Sequence, residues 1–123
     1  IASIVSNPLL KAKAKNRDNV EASIKVLFAD MPDEVVHNKK ILKEGDLVLG
    51  GNGVVKEVLY TKTVKSGYSD AAVLLKASCV KLADELYCAN MPIKINSRCT
   101  ISNPVYVFTD GIIFDVDIGD KKG

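Results

Sequence analysis

Between Val20 and Ala29 the chain alternates strictly. Val20, Ala22, Ile24, Val26 and Phe28 fall on one side, and Glu21, Ser23 and Lys25 on the other. A period of two predicts a strand with one buried face. Asp30 and Pro32 then supply a helix start, Asp33 and Glu34 suit the positive end of the dipole, and Lys39, Lys40 and Lys43 load the far end before Gly45. These signals predict a helix of about three turns over 33–43, whose stripe of Val35, Val36, Ile41 and Leu42 would lie on a sheet.

Gly45-Asp46 turns the chain into LVLG, and Asn52-Gly53 separates that run from VVKEVLYT. An Asn-Gly pair between two apolar runs predicts a hairpin over 47–62. Residues 64–70 connect it to a long β-type run over 71–82, which turns at Ala83 to Glu85 and returns over 86–89. Ile93, Ile95 and Ile101 mark two further short strands, and 105–118 closes the set with a turn at Asp110-Gly111. Seven or eight strands and one helix make a mostly β (α+β) chain, folded as a compact β-barrel or sandwich. The two halves also run in parallel. Each opens on a long strand, reaches an apolar-Lys motif (Leu42-Lys43 before Gly45, Ile93-Lys94 before Asn96), and ends in a turn and a Val/Ile-rich strand. Two loosely repeated β units packed together would bury what neither buries alone.

Composition agrees with one domain. Of 123 residues, 47% are hydrophobic and the net charge is +2, which fits a single core and excludes a disordered tail or a strongly basic nucleic-acid binder. The domain is expected over 20–118. A basic N-terminal arm or juxtamembrane segment (1–19) carries Lys11, Lys13, Lys15 and Arg17, and 119–123 forms a tail. No run approaches the roughly 18 apolar residues of a membrane span, and the chain opens at Ile1 without the charged start of a secretory signal. The given chain is therefore expected to be soluble, with room for an anchor removed from the longer protein.

Chemistry is sparse. The odd count of Cys79, Cys88 and Cys99 argues against a disulfide framework, leaving small buried side chains as the simplest reading. A hairpin turning at Ala83 and Asp84 would nevertheless set Cys79 opposite Cys88. His37 is the one histidine, and cysteine spacings of nine and eleven do not resemble a structural zinc site. Ser3, Ser6, Ser23, Ser66, Ser69, Ser78, Ser97 and Ser102 lack the local context of a nucleophile. Gly50-Gly51-Asn52-Gly53 has no Lys-Ser or Lys-Thr after it and reads as a hairpin tip rather than a phosphate loop. Asp110, Asp115, Asp117 and Asp120 begin a calcium-loop pattern that fails at Gly119; alternation explains Asp115 and Asp117 as the solvent side of a strand. Dispersed lysines and seven aromatic residues without Trp disfavour nucleic acid. No residue is assigned a catalytic, cofactor or metal role.

The segments IKVLFADMPDEVVHNKKILKEGDLVLGGNGVVKEVLY and AAVLLKASCVKLADELYCANMPIKINSRCTISNPVYVFTDGIIFDVDI, about residues 20–118, resemble the bacterial membrane-anchored family known as domain of unknown function 4330. The shared features are Lys43-Glu44-Gly45-Asp46, Gly51-Asn52-Gly53-Val54-Val55, Pro92-Ile93-Lys94-Ile95 and Asp110-Gly111-Ile112-Ile113. Asn96 stands where that family has Gly, and Asn tolerates the positive φ such a turn needs. The resemblance implies an extracytoplasmic domain behind an N-terminal anchor, with the basic arm just outside the membrane and Cys79 and Cys88 in an oxidising environment. It implies no catalytic residues.

The expected function is that of a non-enzymatic, membrane-anchored envelope domain working by protein contact or as a homo-oligomer. It would bind no nucleic acid and touch membrane only through a missing anchor and the arm. A lipid or small apolar ligand carrier is the first alternative, since the turn motif is similar to mammalian-cell-entry-type lipid-transfer barrels. A hydrolase with an unfamiliar site is the other.

Overall fold

The structure, a computed structural model, describes residues 17–119. Eight strands follow in order: β1 (Arg17–Pro32), β2 (Leu47–Val48), β3 (Gly53–Lys65), β4 (Tyr68–Leu82), β5 (Glu85–Cys88), β6 (Met91–Pro92), β7 (Arg98–Ser102) and β8 (Val107–Ile118). One short helix, α1 (Asp33–Val36), follows β1, and a 3-10 turn at Leu49–Gly51 follows β2. The strands form one antiparallel sheet in the order β2-β3-β4-β1-β8-β7, with β5 on β4 beyond the end of β3 and β6 on β5. The sheet curls until it is nearly closed, and the fold is a β-barrel.

β1 and β4 are the staves around which the rest is hung. They pair without interruption from Arg17↔Leu82 to Phe28↔Ala71. Their alternation sends Ala22, Ile24, Val26 and Phe28 inward against Ala71, Val73, Leu75, Ala77 and Cys79, all buried. Val55, Leu86, Cys88, Cys99, Ile101, Phe108 and Ile113 complete one continuous core, so side chains fill the barrel. Each fully buried Val, Leu, Ile or Phe contributes roughly 1.5–3 kcal/mol.

The two hairpins that close the barrel use the same backbone scheme. In one, Gly45 N–H donates to the Val55 carbonyl (2.7 Å) and Val55 N–H to the Asp46 carbonyl (2.9 Å). In the other, Asn96 N–H donates to the Ile113 carbonyl (2.6 Å) and Ile113 N–H to the Ser97 carbonyl (3.0 Å). Gly45 (φ 95°) and Asn96 (φ 77°) both lie in the left-handed region, which Gly and Asn tolerate best. Val55 and Ile113 are both fully buried.

Four expectations need correction. The helix over 33–43 shrinks to Asp33–Val36. Its N-cap is Pro32, which makes no side-chain cap, and β-branched Val35 and Val36 weaken propagation. The Asn38 side chain then accepts from Lys40 N–H (2.9 Å), offering the backbone a turn instead, and Leu42 at φ 50° swings into the core. Asp110-Gly111 is not a hairpin turn but lies inside β8. Cys99 pairs with Gly111 and Ile101 with Phe108, so β8 carries one extra residue there, a bulge with Asp110 at φ 61°. The reversal itself lies at 103–106, where Asn103 N–H donates to the Tyr106 carbonyl. Finally, Ile93 and Ile95 fall after β6 rather than within a strand: Ile93 is buried and Ile95 exposed. β1 also begins at Arg17, before the expected start at Val20. The rest of the basic arm and the tail beyond Gly119 lie outside the described residues.

Candidate functional site

Two surface features stand out, and each follows from how a strand ends its pairing. β1 and β8 pair from Ala22↔Ile118 to Leu27↔Ile112, after which the two strands splay apart. Between them opens a cleft of about 560 Å³, lined by residues 28–32 and Val35 on one side and by residues 107–110 on the other. Its floor is apolar. Phe28 and Phe108 sit with ring centroids 5.5 Å apart at 50°, and Tyr106 continues the stack 5.1 Å from Phe108. Gly111 permits this packing, because a Cβ there would lie 2.5 Å from the Phe28 ring and 2.6 Å from Val26 Cγ1.

The rim is acidic and conformationally strained. Asp30 (φ 55°) and Asp110 (φ 61°) both hold the left-handed conformation. Asp30 N–H donates to Asp70 Oδ1 (3.0 Å), and Asp110 meets Arg98 at 3.3 Å in an exposed pair of little energetic weight. Behind the cleft, α1 is tied to the β3–β4 hairpin: Ser69 Oγ–H donates to Asp33 Oδ1 (2.6 Å), and Asp33 N–H donates to the Gly67 carbonyl.

The second feature is β3. β2 pairs with it only at Gly53 and Val54, and the Gly45–Asp46 turn reaches Val55. From Lys56 to Lys65 no described strand pairs with its outer edge, and nearly every side chain is exposed on both faces. Tyr60 (49%), Val64 (43%) and Val58 (36%) are apolar groups left in water there. Register shifts after Val55, Val58 and Thr63, with Lys56, Lys62 and Lys65, break the regularity of the edge, a common guard against indiscriminate pairing.

The candidate chemistry falls into place around these features. Cys79 and Cys88 lie one step beyond the last β4–β5 ladder pair, Val80↔Tyr87, on the hairpin turned by Ala83 and Asp84, and Cys99 joins them in the core. All three are free thiols. A hydrogen bond to Cys88, reinforced by burial, holds the Cys79 thiol well above the usual range, and the same bond lowers Cys88. Burial, with the nearby charge of Cys88 second, pushes Cys99 up to about 11. His37 is exposed just past α1. Gly50-Gly51-Asn52-Gly53 forms the tip of the β2–β3 hairpin, Asp115 pairs with Lys25 at 3.4 Å on the solvent side of β8, and Asp120 lies outside the described residues. Among the described residues no three His, Cys, Asp or Glu side chains gather as a metal site, and no helix is long and apolar enough to cross a membrane.

The cleft is absent from the sequence reading. One signal for it existed: inward-facing Phe108 and Ile113 are an odd number of residues apart, which a regular strand cannot reconcile. Comparison with family models, curated proteins and solved structures finds no match to this chain.

Proposed function

We propose that the chain is a non-enzymatic contact domain of a membrane-tethered, extracytoplasmic bacterial protein, acting by binding protein and above all a second copy of itself through β3. The observation that carries this reading is the stretch from Lys56 to Lys65, a strand exposed on nearly every side chain, whose outer edge no described strand pairs. Such an edge offers a row of backbone donors and acceptors, and Val58, Tyr60 and Val64 supply apolar contacts that a partner would dehydrate. Tethering and location rest on the sequence resemblance to domain of unknown function 4330. The matched hydrogen bonds of the two closing hairpins support reading the barrel as two related β units.

Sedimentation of the chain across a wide concentration range tests the contact. Association that weakens in a Tyr60→Asp, Val64→Lys double variant is the expected result. A monomer at every concentration, unchanged by that variant, would sink self-association as the function.

The cleft supports a second reading, a carrier of a small apolar ligand. Its floor of Phe28, Met31 and Phe108 is the right chemistry, and its volume lies within the range of ligand sites, roughly 300–1,000 Å³. Native mass spectrometry that finds no bound lipid after gentle purification, together with no binding of an environment-sensitive apolar dye, would remove this reading.

A further inference from the structure

We propose that Cys79 and Cys88 form a disulfide across β4 and β5 when the chain meets a small-molecule disulfide, while Cys99 remains a thiol. The register carries the inference. β4 and β5 pair as Leu82↔Glu85, Lys81↔Leu86 and Val80↔Tyr87, and one further step sets Cys79 opposite Cys88. Ser78 then fixes what kind of pair this is. Its N–H donates to the Asn52 carbonyl (2.7 Å), and its own carbonyl accepts from Cys88 Sγ–H (3.4 Å), so its polar groups point toward the side of β4 that holds β3 and β5. Backbone direction alternates along a strand, so those of Cys79 point toward β1.

Cys79 and Cys88 therefore take the non-hydrogen-bonded positions next to the last ladder pair, Val80↔Tyr87, and in a regular ladder such positions hold their Cα atoms only about 4.5 Å apart, with side chains in closest approach. That separation falls inside the window of roughly 4.4–6.8 Å that a disulfide spans without moving the backbone. Both side chains are buried in the core, and Cys88 Sγ lies 3.4 Å from the carbonyl of Ser78, the residue next to Cys79. Cys99 shares the core but sits on β7, whose ladder partner is β8, so no strand register presents it to either of the other two.

The chemistry balances with an external disulfide such as oxidised glutathione. Cys88 sulfur, as thiolate, attacks it, forming a mixed disulfide and releasing one glutathione thiolate. Cys79 sulfur then loses its proton to solvent and attacks Cys88 sulfur, expelling the second glutathione. Two protein thiols become one disulfide, and one small disulfide becomes two thiols. Both cysteines are at most 2% exposed, so the reagent reaches them during folding or when β5 and β6 lift away from β4. The inference is independent of what β3 binds.

The test is to refold the chain from denaturant in an oxidising glutathione buffer, remove the glutathione in acid, unfold the chain again and block remaining thiols with iodoacetamide in denaturant, and read the intact mass and the peptide map. The expected result is a single alkylation, at Cys99, with the peptides containing Cys79 and Cys88 joined. A Cys99→Ser variant should carry no alkylation and keep the same link. Alkylation at all three cysteines, or a link that includes Cys99, would overturn the proposal.

Discussion

The two closing hairpins, 45–65 and 96–118, begin alike and end differently. In each, a left-handed residue and its neighbour clamp a fully buried Val55 or Ile113 by two backbone hydrogen bonds. A tight connection joins Val48 to Gly53 in the first, whereas the second runs out through β7, the reversal at 103–106 and the β8 bulge before Cys99 and Gly111 pair. The longer excursion does two things. It reaches back to the first hairpin, where Tyr106 O–H donates to Asp46 Oδ2 (2.9 Å), and it opens the cleft beside β1. The first hairpin instead sends β3 out into solvent. Shared bonds make the frame, and the divergent ends make the surfaces available for function.

The sharpest way to break the comparison is to hollow its two anchors. Ile113→Ala and Val55→Ala should each destabilise by roughly 2–4 kcal/mol in urea unfolding, the isoleucine variant more because it leaves the larger void. Equal effects at the frame with no further difference would mean that the excursion adds nothing to its own hairpin.

Next come the paired glycines. Gly111→Ala drives a Cβ to 2.5 Å from Phe28 and 2.6 Å from Val26, groups packed in the core, and should cost about 1–3 kcal/mol. At Gly53 the nearest atom is the end of the Leu49 side chain at 2.8 Å, which can turn aside, so Gly53→Ala should lower the melting temperature less.

The turns should differ in a smaller way. Asn96→Gly is expected to be near neutral and Asn96→Ala to cost about 1 kcal/mol, because only the second places an ordinary side chain at φ 77°. Gly45→Ala at φ 95° should match the second, and a neutral result would show that the turn can relax.

The smallest change tests the link between the hairpins. Tyr106→Phe should cost about 0.5–1.5 kcal/mol at neutral pH. Burial, followed by the bond to Asp46, pushes the Tyr106 hydroxyl up to about 12 from its usual 10. The folded state therefore keeps a proton that the unfolded chain releases, so this stabilisation is whole below about pH 10 and is lost as pH rises toward 12. Unfolding midpoints across that window should fall less steeply in Tyr106→Phe than in the parent.

Particular residues explain what could be read in advance. Ile24, Val26 and Phe28 announced β1, and Val73, Leu75 and Ala77 its partner, because burial on one face imposes the period that sequence displays. Ala83 and Asp84 turn the chain with both residues at positive φ, and that turn placed Cys79 opposite Cys88. Val35 and Val36 misled, since charge placement suits a helix that their branching and the Asn38 turn cut short. VVKEVLYT reads as one arm of a hairpin, yet from Lys56 onward nearly every side chain is exposed on both faces. Alternation records which residues could be buried, not whether anything arrives to bury them.

The sequence by itself determined the β-rich class, the two long central strands and the core residues those two strands carry, because each follows from local periodicity and from turn residues with restricted φ. Only the tertiary structure decided which edges no described strand pairs, where β1 and β8 part, and that three distant cysteines share one core. Those outcomes depend on register and on the curl of the whole sheet. Both are set by contacts between residues far apart in the chain, and no window of sequence contains them.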